Sequence, residues 1–162
     1  MRATRFELRI AQSLMTAAPA NNGSGKVVLS FSANMRFVRP VRHFISALCN
    51  LAGYEEDETE SIALVTTEIL NNSIEHGSSG PEDLVGVELL VTRDTFRFEV
   101  SDSGRGGPAF ASGALERAAE MPDLEQPRGR GLFLIQRYMD EMDVSYDPQQ
   151  GTRLKVSKTR TS

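Results

Sequence analysis

Glu68-Ile69-Leu70-Asn71-Asn72-Ser73-Ile74-Glu75-His76-Gly77 decides the reading of this chain. On a helix, positions four apart drift by only about 40°, so Glu68, Asn72 and His76 share one face. Placing Ile62, Val65 and Ile69 on the same wheel sets those three polar residues beside and among the inward-facing apolar positions, while Glu60, Asn71 and Glu75 point elsewhere. An inward carboxylate costs free energy unless something pairs with it. A helix edge bordering solvent, or a locally satisfied polar cluster, accounts for the pattern in one way. A site accounts for it in another. There, the Asn72 carbonyl is a hard oxygen ligand suited to Mg2+, and Glu68, one turn earlier, can accept a proton from an attacking hydroxyl or water. His76 would bond a phosphate or cap the site, and a structural histidine fits equally well.

Working outward, the acidic run Glu55 to Glu60 favours a helix N-terminus, and the helix extends to about His76, ended by Gly77-Ser78-Ser79-Gly80-Pro81. Upstream, Val27 to Phe31 reads as a strand. Ser32 or Asn34 then caps a helix through Phe37, Val41, Phe44, Ile45, Leu48 and Leu51, closed by Gly53. Downstream, Leu84 to Thr92 and Thr95 to Ser101 form a hairpin about Arg93-Asp94. An irregular stretch from Asp102 to Gly131 follows, with a short helix around Ala114 to Glu120, then a helix over Leu132 to Asp140. Met142 to Tyr146 and Thr152 to Ser157 close the chain as a hairpin turning at Gly151. This order predicts an α+β two-layer sandwich, with helices on one face of a mixed, mostly antiparallel sheet. The domain spans residues 26–162. Residues 1–25 read as an N-terminal arm, a short helix with Phe6, Ile10 and Leu14 near one face plus a flexible linker. Gly25-Lys26 lacks the glycine at 20 and the Ser or Thr at 27 that a phosphate loop needs; Ala20 and Val27 stand there.

The 162 residues suit one domain with a real core. A net charge of -4 without a long basic run argues against nucleic acid as the main partner. The lone Cys49 excludes an internal disulfide and a cysteine-based metal cluster. No stretch is apolar enough to span a bilayer, which argues against a membrane partner. Arg2, Arg5 and Arg9 ahead of Leu14-Met15 faintly suggest a leader, but Glu7, Arg9 and Gln12 break its apolar centre, so a cytoplasmic protein is expected.

Three further constellations stand out. Asp102-Ser103-Gly104-Arg105-Gly106-Gly107 follows a strand with alternating Phe96, Phe98 and Val100. A carboxylate there can accept from an exocyclic amine such as that of adenine, and the glycines let backbone approach a flat ring; alone, it is also an ordinary Asp-Gly turn. Gly129-Arg130-Gly131-Leu132 opens an apolar helix whose free N–H groups suit phosphate oxygens, with Arg128 and Arg130 adding charge. Gly151-Thr152 enters the last strand and is the weakest of the three.

In this order the motifs Glu68-x-x-x-Asn72-x-x-x-His76, Asp102-x-Gly104-x-Gly106, Gly129-x-Gly131-Leu132-Phe133-Leu134-Ile135 and Gly151-Thr152 resemble the N, G1, G2 and G3 boxes of the GHKL (Bergerat-fold) ATPases. The resemblance covers about Val27 to Val156, and by compactness it is most similar to anti-sigma-factor serine kinases of the RsbW and SpoIIAB type. Ala33 to Phe44 resembles that group's first helix. The resemblance implies that Asp102 binds the adenine amine of ATP, aided through water by Thr152, and that Asn72 holds Mg2+. It implies that Gly104, Gly106, Gly129 and Gly131 shape the loops, with His76, Arg128, Arg130 and Leu132 completing the nucleotide-binding set. Glu68 would be the base that activates a hydroxyl of a STAS-domain antagonist, and Gly107 to Arg128 would be a lid. A sigma factor as competing partner and a homodimer are implied in the same way. Gly106-Gly107-Pro108 departs from the usual apolar residue after the last glycine of the G1 box. Two alternatives stay open: a nucleotide-gated interaction module without transfer activity, and a histidine-kinase-like catalytic domain acting in trans.

Overall fold

The computed structural model describes residues 6–10, 25–104 and 130–160. Six strands and three α-helices are found among them: β1 (Phe6–Ile10), β2 (Gly25–Ser32), α1 (Val38–Leu51), α2 (Glu56–Glu75), β3 (Leu84–Val91), β4 (Thr95–Ser101), α3 (Arg130–Tyr138), β5 (Glu141–Asp147) and β6 (Gly151–Thr159). The sheet order is β1-β2-β3-β4-β6-β5. Every pairing is antiparallel, which makes the mostly antiparallel sheet expected from the sequence antiparallel throughout the described residues.

Period-two patterning dictates which face is covered. Val85, Val87, Leu89 and Val91 of β3 are buried, as are Phe96, Phe98 and Val100 of β4. Register sets Val87 opposite Val100 and Leu89 opposite Phe98, so these side chains share the face on which the helices lie. The other face is charged. Glu88 and Glu99 sit directly opposite each other, a repulsive pair offset by Lys26 on Glu88 at 2.6 Å and by Arg153 and Lys155 on Glu99 at 3.0 and 3.6 Å.

Helix α1 buries Val38, Val41, Ile45 and Cys49, the three-and-four spacing of a single apolar stripe. Its end is fixed by Gly53, at φ 81°. The Gly53 N–H donates to the Asn50 carbonyl at 3.1 Å, and the Tyr54 N–H reaches back to the Cys49 carbonyl at 3.0 Å. This is the paired closure that a left-handed residue after a helix allows. Helix α2 starts on Glu56, Asp57 and Glu58, whose charge complements the N-terminal dipole. It carries Ile62, Val65, Ile69 and Leu70 into the core. The fully buried Thr66 is accommodated because its hydroxyl donates to the Ile62 carbonyl, 2.8 Å away. Helix α3 lies against α2 and adds Ile135, and Met139 just after it is buried as well.

The N-terminal arm differs from its sequence reading. Phe6–Ile10 is a strand pairing with β2, Phe6 opposite Phe31 and Ile10 opposite Val27. Phe6-Glu7-Leu8-Arg9-Ile10 also alternates apolar and polar with period two. The free N–H and C=O groups along the edge of β2 select that alternation over the four-residue spacing of Phe6, Ile10 and Leu14. Helix α3 begins at Arg130 and not Leu132, and it ends at Tyr138. The short helix suggested around Ala114 to Glu120 lies outside the described residues.

A Cβ added at Gly53 would meet nothing within 4 Å, so replacing this residue costs only backbone conformation. Gly53→Ala is expected to lower the unfolding free energy by about 1–2 kcal/mol. Gly80→Ala, which is equally unobstructed and has no positive φ, is expected to change it little. Urea denaturation of the two variants beside the wild type checks this.

Candidate functional site

The C-terminal ends of α2 and β4 converge on the start of β6. Past the end of β4, the Asp102 N–H donates to the Thr152 carbonyl at 3.0 Å, carrying the ladder one residue further. This places the Asp102 side chain beneath α2 with only 8% of the residue exposed. Burial raises the pKa of its carboxyl above the ordinary aspartate value, while the Gly104 N–H and then the Ser73 and Thr152 hydroxyls act to lower it. The Gly104 N–H is 2.8 Å from Oδ1. Thr152 Oγ1, although close enough to favour the charged carboxyl, is buried and meets no partner with hydrogen-bond geometry.

Three glycines make this approach possible. A Cβ at Gly77 would fall on the Asp102 carboxyl group itself. Gly104 and Gly151 adopt φ 75° and 83°, and a Cβ on Gly104 would stand 2.6 Å from the Gly151 Cα. A Cβ on Gly151 would run into the Asp102 carbonyl oxygen. The result is a floor of bare backbone holding one buried carboxylate with spare acceptor capacity beside one unpartnered hydroxyl. Such a pair suits a flat ligand edge that presents an N–H donor next to an acceptor.

Helix α2 presents the other expected residues. Glu68 and Asn72 are half-buried and His76, its C-cap, is exposed. Asn71, read from the sequence as facing away, has a buried side-chain oxygen without a partner. Among the described residues no group of three or more His, Cys, Asp or Glu side chains is placed to hold a metal ion. Mg2+, the cation expected from the sequence, takes few protein ligands and usually keeps several waters.

Of the residues singled out in the sequence, Asp102, Gly104 and Thr152 are brought into one cluster with the end of α2. Arg130, Gly131 and Leu132 form the first turn of α3. Gly106, Arg128 and Gly129, and the stretch from Gly107 to Arg128 read as a lid, lie outside the described residues. Sequence reasoning missed Ser73 and Gly77. The signal was present: Ile69, Ser73 and Gly77 continue the buried stripe of α2 at four-residue spacing, with side chains shrinking toward Asp102. A groove of about 460 Å³ on the helix-free face, bordered by Lys26, Glu88, Arg97 and Lys155, shares none of these residues.

Residues 31–158 match the histidine kinase-like ATPase domain family. The serine-protein kinase RsbW of Listeria monocytogenes serovar 1/2a is 32% identical over 143 residues, covering 82% of this chain and 86% of that protein. RsbW of the serotype 4a strain is 28% identical over 138 residues with the same coverage. The anti-sigma F factor of Halalkalibacterium halodurans is 28% identical over 134 residues, 82% of this chain and 91% of the relative. No described helix is long and apolar enough to cross a membrane. A match that runs from within β2 to the penultimate residue of β6 takes in every element that builds the Asp102 cluster, and the chain belongs to the histidine kinase-like (GHKL) ATPase family, with relatives among RsbW-type serine kinases and anti-sigma F factors.

Proposed function

We propose that this chain is an ATP-dependent protein serine/threonine kinase of the anti-sigma type, with the adenine seated on the Asp102 floor. One observation carries the reading: a buried carboxylate and a buried, unpartnered hydroxyl stand side by side over glycines too tightly packed to bear side chains. The exocyclic amine of adenine would donate to the Asp102 carboxylate, which can accept further bonds, and Thr152 Oγ1 would reach the neighbouring ring nitrogen directly or through one water. Guanine carries a carbonyl where adenine carries that amine, so the same carboxylate would repel it.

The other roles rest on the order of the motifs. Gly104 and Gly106 would let the backbone pass close to the ring. The N–H groups of the first turn of α3, at Arg130, Gly131 and Leu132, would face phosphate oxygens, with Gly129 shaping the loop and Arg128 adding charge. His76, at the end of α2, would hydrogen-bond the same phosphates. Asn72 would hold Mg2+, which supplies charge neutralisation along the phosphate chain. Glu68, one turn before Asn72, would accept the proton of a serine or threonine hydroxyl as its oxygen bonds to the γ-phosphorus. The bond from that phosphorus to the bridging oxygen breaks, and ADP leaves. Relatives named as a serine-protein kinase and an anti-sigma F factor support a protein substrate and a sigma-factor partner; the phosphoacceptor would be a STAS-domain antagonist, and the sigma factor would be held when the antagonist is absent. A cytoplasmic homodimer suits that role.

Calorimetric titration tests the pocket. Asp102→Asn is expected to weaken ATP binding by about tenfold or more, since an uncharged amide offers the amine a poorer acceptor; near wild-type affinity would remove adenine from this floor. Asn72→Ala should leave weak ATP binding that no longer responds to Mg2+, and an unchanged metal titration would contradict its role. Glu68→Ala should retain ATP affinity and lose transfer to a STAS-domain substrate by about 100-fold or more. Mass spectrometry of the substrate reads the product, and transfer within a few-fold of wild type would exclude Glu68 as the base.

A further inference from the structure

The turn that follows α2 does more than end it. The Ser78 hydroxyl donates to the Ser73 carbonyl at 3.0 Å, folding the chain back beneath the helix end. Asp83, six residues after Gly77, then bonds in both directions. Its Oδ2 accepts the Ser79 N–H at 2.6 Å and lies 3.0 Å from Ser103 Oγ. That serine stands between Asp102 and Gly104, and its oxygen is also 2.8 Å from the Gly77 carbonyl, so its single proton serves two acceptors. The main chain of Asp83 is pinned as well. Its N–H donates to the Gly80 carbonyl at 3.1 Å, and its carbonyl accepts the Ala33 N–H at 2.8 Å.

From this we infer that Asp83 is a positioning residue for the base-binding floor: through Ser103 and Ser79 it holds the 77–83 turn against Asp102, and so sets where Gly77 stands over the carboxylate. The physical reason is the closeness of that approach. Gly77 and the Asp102 carboxyl are packed without room for one carbon atom, so a small displacement of the turn would tilt the carboxyl or let water in beside it. The turn runs on into β3, and the Ser103 hydroxyl, shared between the Gly77 carbonyl and Asp83, ties it to the residues that follow β4. The same Asp83 peptide joins the turn to the junction of β2 and α1, where Asn34 Oδ1 accepts the Arg36 N–H at 3.1 Å. Asp83 lies outside the four boxes that carry the family resemblance.

This inference rests on adenine binding at Asp102, and the experiment separates the two. Adenosine and ADP are titrated into the wild type, Asp83→Ala, Asp83→Asn and Ser103→Ala, each shown folded at the assay temperature by thermal denaturation. Because one oxygen accepts both bonds, the amide of Asp83→Asn can retain them. It is expected to bind within about threefold of wild type, while Asp83→Ala and Ser103→Ala bind adenosine and ADP about tenfold more weakly, by the same factor for each ligand. An equal loss for the two ligands marks the base end of the pocket, and rescue by the amide marks the hydrogen bonds; a purely structural role would lower the melting temperature and leave both dissociation constants in place. Asp83→Ala and Ser103→Ala binding as tightly as the wild type would overturn the inference, as would Asp83→Asn losing as much as Asp83→Ala. A wild-type protein that binds neither ligand would instead overturn the assignment of Asp102, and this inference with it.

Discussion

The closeness with which main chain approaches the Asp102 carboxyl governs the rest of this structure. Gly77 presses on it from the end of α2, Gly104 folds back to donate to it, and Gly151 lies under its own carbonyl. None of the three positions admits a Cβ without displacing backbone or carboxylate. Two of them use left-handed φ values that other residues rarely adopt. For the carboxyl to sit there, the end of β4, the start of β6 and the end of α2 must all arrive within a few tenths of an ångström of their places. The antiparallel ladder between β4 and β6 supplies two of those placements, since Ser101 opposite Arg153 leads directly to the Asp102–Thr152 hydrogen bond. Packing of α2 on the sheet supplies the third.

Helix α2 therefore serves two ends with one sequence. Ile62, Val65 and Ile69 anchor it in the core, and the same stripe runs on into Ser73 and Gly77, where large side chains would exclude the carboxylate. The polar face with Glu68 and Asn72 lies alongside, half-buried at the border of that stripe. Core burial fixes the rotation of the helix, and the rotation in turn fixes the line along which Glu68, Asn72 and His76 stand, one turn apart. A site carried on such an element inherits the rigidity of the core.

This division explains what the sequence could and could not reveal. The long helices and the central hairpin were legible because their patterns are unambiguous: the stripe Val38, Val41, Ile45, Cys49 has helical period, and Phe96, Phe98, Val100 has strand period. Asp102, Gly104 and Thr152 were legible only through the order of their motifs, since each alone reads as a turn. The arm was misread because Phe6 to Ile10 fits both periods over so short a stretch, and the deciding partner, the edge of β2, is remote in sequence. Ser73 and Gly77 were missed for a related reason. A small residue shows no hydrophobic signal, and its importance lies in what it leaves room for, which only the arrival of Asp102, 29 residues after Ser73 and 25 after Gly77, defines.

The chemistry of Asp102 and Thr152 also bears on the energetics of binding. Burial raises the pKa of Asp102, so folding favours its protonated form. The stability linked to that protonation is present at acid pH and is lost as pH rises through the folded-state pKa, leaving the ionised carboxyl a net cost near neutrality. Thr152 Oγ1 adds the cost of a buried hydroxyl without a partner. Both costs belong to the protein before any ligand arrives. A ligand edge that donates to the carboxylate and satisfies the hydroxyl removes them together, and the gain appears as affinity. A ring that satisfied one and opposed the other would leave one cost standing. Selectivity at such a floor arises from the hydrogen-bonding capacity that the fold leaves over: the acceptor sites of Asp102 beyond the Gly104 N–H, and the Thr152 hydroxyl beside them.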